Sequence, residues 1–354
     1  MMDITNRKFL ATLKLVGLSL ILVGCSATED GSRIEASDAP QPPGSGGVSY
    51  GMTNIEGALY RAGIVSGGGG HTTVLLMTPE GVILADPINH GFSEWLKAEL
   101  AEQFNTQVEY VIYSHHHPDH ASGGSTFADT ATFVGHENMA VNITKIPSNA
   151  APMDSNGNGS IEREEATGGT ANNFDRSDAN GDGTLSPAEL NATIQPLDLT
   201  YRDQLTISLG GSSVEIYHTP PAHSDDMSVL LFPAERTVFA VDFLQINRLP
   251  GGLTGFLAGY PVEDYGAAIS VVSALDFDTI VQGHSEVIGD KSDVDAFAQL
   301  LRTAESEVAA ALTNGRGLEE TLESVMLPEY SDWLLYETRR EALVSDMYRF
   351  LSQQ

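Results

Sequence analysis

VEYVIYSHHHPDH, residues 108–120, is the stretch on which the fold turns. Its first part, residues 108–113, is a short apolar run rich in Val, Ile and Tyr, the composition of a buried strand. The second part crowds His115, His117, Asp119 and His120 into six residues. Imidazole and carboxylate are the donor types that suit zinc and its borderline neighbours. Four such donors cannot all face one ion from a regular backbone. A strand end that bends into a helix divides them, sending His115 and His117 to one cation and Asp119 with His120 to another. Pro118 suits that bend, because it fixes its own φ and biases His117 away from helical geometry.

Working outward, residues 72–78 (TTVLLMT) and 82–85 (VILA) flank Pro79-Glu80-Gly81, which predicts a hairpin. A helix follows, with Ser93 as expected N-cap and Trp95, Leu96 and Leu100 on its apolar side. Beyond the histidine stretch, strands are expected at residues 205–209, 214–218, 227–232, 237–241 and 279–282. Alternating strand and helix predicts an α/β layer architecture. From Lys291 the chain reads as helix, with Val294, Phe297, Leu300, Leu301, Ala304 and Val308 at helical spacing, until Gly315 and Gly317 stop it. A last amphipathic stretch carries Trp333, Leu334, Leu343, Met347 and Leu351, expected to pack against the strand layers. Three further donors stand alone at strand ends: His223, Asp242 and His284.

HxHxDH, then a lone histidine, an aspartate and a histidine, each after a strand, resembles the metallo-β-lactamase superfamily. The resemblance covers residues from about 50 to 287, apart from an inserted segment. It implies an αββα metallo-β-lactamase sandwich with an inserted EF-hand-like segment and C-terminal helices. Carried over, His115, His117 and His223 bind a first metal; Asp119, His120 and His284 bind a second; Asp242 bridges both. Two divalent ions, zinc by donor type, would share a water and bring its pKa towards neutrality. The water attacks a carbonyl, phosphoryl or sulfuryl centre, with Asp119 as the catalytic residue that holds and later passes a proton. Asp86, at the end of residues 82–85, resembles the family's early strand aspartate; it either orients a ligand or caps a loop. His71, His90, His116, His136 and His218 fill no ligand slot in the resemblance and are expected to be packed or solvated.

Zinc β-lactamases resemble this chain in fold but place cysteine or serine near the bridging position. Asp242 looks more like glyoxalase-II-type thioesterases and lactonases, and residues 201–233 resemble β-lactamase-like hydrolases of bacterial envelopes. The expected function is therefore dinuclear hydrolysis of a small-molecule ester, lactone, thioester or amide. The alternatives are a β-lactam or sulfate ester on the same site, a mononuclear iron dioxygenase of the same fold, and a calcium-responsive envelope binding protein. An intact second set of donors counts against the dioxygenase.

Residues 148–192 break the α/β pattern with Asp, Asn, Gly and Ser. Residues 154–165 and 178–189 each fit the twelve-residue EF-hand loop. The first offers Asp154, Asn156, Asn158, the Ser160 carbonyl and a bidentate Glu165; the second offers Asp178, Asn180, Asp182, Thr184 and Glu189. Gly159 and Gly183 permit the sharp turn, and Ile161 with Leu185 would pair the loops. Up to two Ca2+ ions are expected. Between such close loops the helices must be short, as in dockerin-type repeats. Bound calcium would order a lid beside the metal site, or simply clip the insertion together.

The termini and composition complete the expectations. Residues 1–24 combine Arg7, Lys8 and Lys14 with an apolar run too short to span a bilayer. They end in Leu22-Val23-Gly24-Cys25, which resembles the lipobox of bacterial lipoproteins and implies acylation of Cys25. Ser26 resembles the outer-membrane sorting signal, placing the protein in the bacterial envelope, facing periplasm or exterior. Cys25 is the only cysteine, so neither an intramolecular disulfide nor a thiolate ligand is expected. Residues 25–48 read as a tether, 49–290 as the interrupted domain, and 291–354 as the helical extension. A net charge of -30, from 48 acidic against 18 basic side chains, argues against nucleic acid and anionic lipid as partners. The membrane is met through the lipid anchor alone.

Overall fold

The computed structural model describes residues 48–65, 70–251, 260–285 and 287–354. The expected signal peptide, Cys25 and most of the tether lie outside the described residues. Nine strands form the first half: Tyr50–Glu56 (β1), Leu59–Ile64 (β2), Thr72–Thr78 (β3), Gly81–Leu84 (β4), Val108–Ile112 (β5), Thr132–His136 (β6), the short Ile161–Glu162 (β7) and Thr184–Leu185 (β8), and Leu199–Tyr201 (β9). Six more follow: Gln204–Leu209 (β10), Ser212–His218 (β11), Ser228–Phe232 (β12), Thr237–Phe239 (β13), Thr279–Val281 (β14) and Ile288–Gly289 (β15).

One sheet runs β1-β2-β3-β4-β5-β6-β9, the other β10-β11-β12-β13-β14-β15, and β7 with β8 forms a separate ribbon. β1 to β4 are an antiparallel meander, whereas β4, β5, β6 and β9 pair in parallel. Side-chain alternation on β3 shows how the layers stack. Val74 and Leu76 join the core shared with Val214, Ile216 and Val229 of the second sheet, while Leu75 joins Phe92, Leu96 and Leu100 of the helix His90–Phe104. The second sheet is covered in turn by the helices Val262–Ala274, Lys291–Thr313 and Tyr336–Leu351. Helix, sheet, sheet, helix is the αββα arrangement, and the expected α/β fold class holds.

Local expectations fail at three places. Asn89, not Ser93, caps the first helix: its side chain accepts from Phe92 N at 3.0 Å, while Ser93 Oγ, one turn in, donates to Pro87 O at 2.7 Å. Hydrophobic spacing could not separate two polar residues four apart, either able to cap. The hairpin β1–β2 precedes the strand taken as first, because its residues are half exposed and mix polar with apolar. Leu334 does not pack as expected but is 60% exposed, in the turn before Tyr336–Leu351.

The insertion has its own small core of Ile161, Phe174 and Leu185. Ile161 pairs Leu185 across β7 and β8. Its helices are brief, Gly168–Asn172 and Phe174–Ser177.

Candidate metal centre

β5 ends at Ile112, and the chain then turns towards the open end of the two sheets. His117 is extended (φ -62°, ψ 140°) and Pro118 opens the short helix Pro118–Ala121, which carries Asp119 and His120. His115 and His117 therefore leave the strand end while Asp119 and His120 leave the helix. The other three donors come from the second sheet. His223 lies in the connection between β11 and β12, Asp242 just after β13 and Asp242's neighbour in space, His284, just after β14.

Two backbone features make that meeting possible. Asp242 adopts a left-handed φ of 65°, and Phe243 N donates to Val241 O at 2.7 Å across the bend. Such a conformation costs a non-glycine residue on the order of 1 kcal/mol or more, and aspartate tolerates it better than most. Gly283 lies so close to the centre that a Cβ there would meet Val241 Cγ1 at 2.7 Å and His120 Cε1 at 2.9 Å.

All seven side chains converge. Asp242 Oδ2 lies 3.4 Å from His115 Nε2, 3.2 Å from His120 Nε2 and 3.2 Å from His223 Nε2. Its Oδ1 lies 2.9 Å from His284 Nε2. His117 Nδ1 and His223 Nε2 are 2.8 Å apart, and His284 Nε2 is 3.4 Å from Asp119 Oδ2. Donor atoms of His115, His117, His223 and Asp242 lie within 4.8 Å of one another, as do those of His120, Asp242 and His284. Tetrahedral zinc with ligands at about 2.0–2.1 Å separates its donors by roughly 3.3 Å, close to these spacings.

Hydrogen bonding settles which nitrogens are available. Asp86 accepts from Ser114 N at 2.7 Å and from Ser114 Oγ at 2.7 Å. The serine hydroxyl has one proton and has given it to Asp86, so at His115 Nδ1, 3.0 Å away, it must accept. His115 is thus protonated on Nδ1, and its buried Nε2 makes no hydrogen bond among the described residues. Asp86 Oδ2 also accepts from His120 Nδ1 at 2.8 Å, turning Nε2 of that ring inward as well. Of the two readings of Asp86, orientation of a site histidine is the one its contacts match.

Electrostatics agree. Burial first, then His117 and His120, hold His115 well below the usual histidine range. Burial and the adjacent His223 bring His117 down to about 3. Both shifts favour the neutral imidazole, the form that offers a lone pair to a cation. Burial alone would raise Asp242, but the charge and hydrogen bond of His120, together with His284, keep it well below the carboxylate range. Burial alone would lower His120, yet Asp242 and Asp86 hold it well above. Buried carboxylates thus draw positive charge into the pocket, and the residues present fit divalent cations.

Several contributors were not singled out in the sequence. Asp226, fully buried, accepts from His116 N at 3.1 Å and His116 Nδ1 at 3.0 Å, fixing the residue between His115 and His117. Ser224 Oγ also donates to Asp226. His116 is therefore packed, as expected. His136 and His218 are stacked on each other with ring centroids 3.7 Å apart, and His90 pairs with Glu94 at 3.2 Å. His71 departs from the expectation of a merely packed or solvated ring: its Nε2 reaches Asp119 Oδ2 at 3.2 Å. Burial would raise Asp119, but the hydrogen bond from His71 and the charge of His120 bring it below the carboxylate range. Asp119 is the most open of the group, its side chain 47% exposed.

In the insertion, the carboxylates curl back on their own loops. Asp154 accepts from Asn158 N and Gly159 N, each at 3.0 Å, and Asp178 from Gly181 N at 2.8 Å and Gly183 N at 3.0 Å. Asn156 and Asn180 accept from the amides of Asn158 and Asp182, at 2.9 and 2.8 Å. Asn158 and Asp182 do the same for Ser160 and Thr184, both at 2.9 Å. Glu165 and Glu189 close each loop onto Ser155 N and Ala179 N, both at 3.0 Å. Gly159 (φ 84°) and Gly183 (φ 86°) take the left-handed bend. Among the described residues, the side chains of residues 154–189 hydrogen-bond only within that segment.

A paired His/Asp centre at one end of an αββα sandwich defines a class of metal-dependent proteins. The chain belongs to the metallo-beta-lactamase superfamily, whose family model matches residues 66–284. It is 24% identical over 272 residues to the linear primary-alkylsulfatase of Pseudomonas sp. (strain ATCC 19151), a match covering 72% of this chain and 50% of that protein. The chain thus spans about half the length of that curated relative. Among solved structures, the fold is similar to the metallo-beta-lactamase from Pontibacter korlensis (TM-score 0.50, 16% identity, 72% of this chain and 99% of that one). It is also similar to metallo-beta-lactamase IND-7 (TM-score 0.50, 17% identity, 72% and 98%).

Proposed function

We propose that this chain is a dinuclear metal-dependent hydrolase. His115, His117 and His223 hold one divalent cation, Asp119, His120 and His284 hold the other, and Asp242 serves both. The observation that carries the reading is the convergence of these donors from two sheets onto one point, with His115 Nε2 buried and without a hydrogen bond among the described residues. Bound there, two zinc ions supply Lewis acidity and bring the pKa of water towards neutrality. The chain's own groups do the rest. Asp86 keeps His120 in one tautomer, and Asp226 holds the backbone of His116 so that its two neighbours point inward. Asp119, open to solvent, accepts the proton of the attacking water and returns it to the leaving group. An ester, lactone, thioester or amide is the substrate class. Two zinc per chain and turnover of such a panel are expected; one iron per chain with oxygen consumption would favour the dioxygenase instead.

Sulfate-ester cleavage on the same site is a second reading, favoured by one relative and one local feature. The relative is the alkylsulfatase. The feature is a pair of guanidinium groups: Arg248 Nη1 lies 3.4 Å from His284 O, and Arg339 Nη1 bonds Leu249 O at 3.1 Å. Neither has a carboxylate partner among the described residues, and Arg248 pulls the pKa of Arg339 down after burial has done so. A guanidinium without a carboxylate partner, held at the backbone of His284 with a second one near it, suits an anionic group. If this reading holds, Arg248→Ala lowers turnover of an alkyl sulfate far more than of a neutral ester; equal effects would remove it.

The two acidic loops are proposed as calcium sites, with Glu165 and Glu189 swinging from their loop amides to the ion. Calcium titration by calorimetry tests this, and Glu165→Gln with Glu189→Gln should abolish binding without loss of zinc. Acylation of Cys25 is proposed as the membrane anchor. Cys25→Ser should release the protein from the envelope fraction in the expressing bacterium.

A further inference from the structure

His71 stands just before β3, and three backbone-directed bonds fix where it lies. Its carbonyl accepts from Ile64 N at 2.9 Å. The next residue, Thr72, donates its amide to Gly283 O at 2.7 Å and its hydroxyl to Ser285 O at 3.2 Å. Gly283 and Ser285 are the residues on either side of His284. The start of β3 is therefore stitched to the turn that presents His284, and the two imidazoles are brought together, centroids 4.5 Å apart at 70°. From there His71 Nε2 reaches Asp119 Oδ2 at 3.2 Å, and the donor atoms of His71, Asp119 and His284 lie within 4.8 Å of one another.

We propose that His71 is a further ligand of the cation position served by Asp119, His120 and His284, an inference that rests on the two-cation reading above. A ring needed only to steady Asp119 would not have to be registered against His284. Here main-chain bonds set both rings at one position, as a shared ion requires. With Asp242, that position would have five protein donors, more than the four of a closed tetrahedral zinc site. It would suit a cation that accepts five or six ligands.

The test uses the full chain carrying Cys25→Ser, so that an added thiol is the only one. In His71→Cys on that background, titration with Co2+ should produce a thiolate-to-cobalt charge-transfer band in the near ultraviolet with one of the two equivalents and not the other. The parent should show none. Absence of the band at every cobalt loading overturns the proposal. A second measurement guards against a misfolded variant. By competition with a chromophoric chelator, His71→Ala and His71→Gln should both weaken one of the two zinc ions by at least about 10- to 100-fold, the range already seen on losing a group that only supports a ligand. Glutamine keeps a hydrogen-bond donor for Asp119, so parental affinity in His71→Gln would reduce His71 to that role and overturn the proposal. If the parent itself binds a single ion, the two-cation reading fails and takes this inference with it.

Discussion

Asp86 has two oxygens and three donors to satisfy: Ser114 N, Ser114 Oγ and His120 Nδ1. In Asp86→Asn one of those oxygens becomes an NH2, which faces a donor and pushes His120 towards its other tautomer. Cation affinity at the His120 position should fall about 10- to 100-fold, measured by chelator competition. Glu235 supplies a pH-dependent counterpart away from the centre. It is buried, its Oε2 has no hydrogen-bond partner among the described residues, and burial raises its pKa. A carboxyl raised in the folded state loses stability as pH climbs from its unfolded value through its folded one. Glu235→Gln should therefore raise the melting temperature at about pH 7–8 and leave it unchanged near pH 4, below the usual carboxylate pKa. The principal donors could be read from the sequence because HxHxDH compresses four of them into one turn. Asp226 and His71 could not, since each acts on a residue far away in the chain that only the fold brings near; Ser224 gains its role only through Asp226, two residues on.

At the scale of elements, periodicity located the strands and helices that are buried on at least one full face. β3 and β4 are apolar runs buried along most or all of their length, β5 is a short apolar run, and the helix Lys291–Thr313 repeats its buried apolar residues at helical spacing. The hairpin β1–β2 and the helix Val262–Ala274 were not anticipated. The hairpin is an edge, and the helix, with five buried residues named among Gly and Ala, carries little contrast between faces. The insertion behaves as an element of its own, because Phe174, Ile161 and Leu185 bury one another and join neither of the larger cores. Phe174→Ala removes the largest of the three, a loss of about 3–5 kcal/mol at a packed site. We expect limited proteolysis between residues 154 and 189 to become rapid in this variant while the melting of the sandwich stays put. Excess calcium should slow the cleavage again if the loops bind it.

For the molecule as a whole, strand and helix alternation gave the α/β class and the resemblance implied the layer order; the C-terminal helices were expected against the strand layers, and which sheet they cover needed coordinates. Val294, Phe297, Leu300 and Leu301 share the core of β11 and β12, and Leu249 N bonds Leu334 O at 3.0 Å beside Arg248. The donors divide between the layers: His115, His117, Asp119 and His120 follow β5, and His223, Asp242 and His284 belong to the other sheet. Stripping cations with a chelator should lower the melting temperature, and restoring zinc should recover it. A ligand held at 100 times its dissociation constant adds about 2.7 kcal/mol to the folded state. Ions held by both groups of donors would sit across the seam and would act as rivets as well as reagents. A substitution that loosens either half, however remote from the chemistry, should first be noticed as metal leaking away.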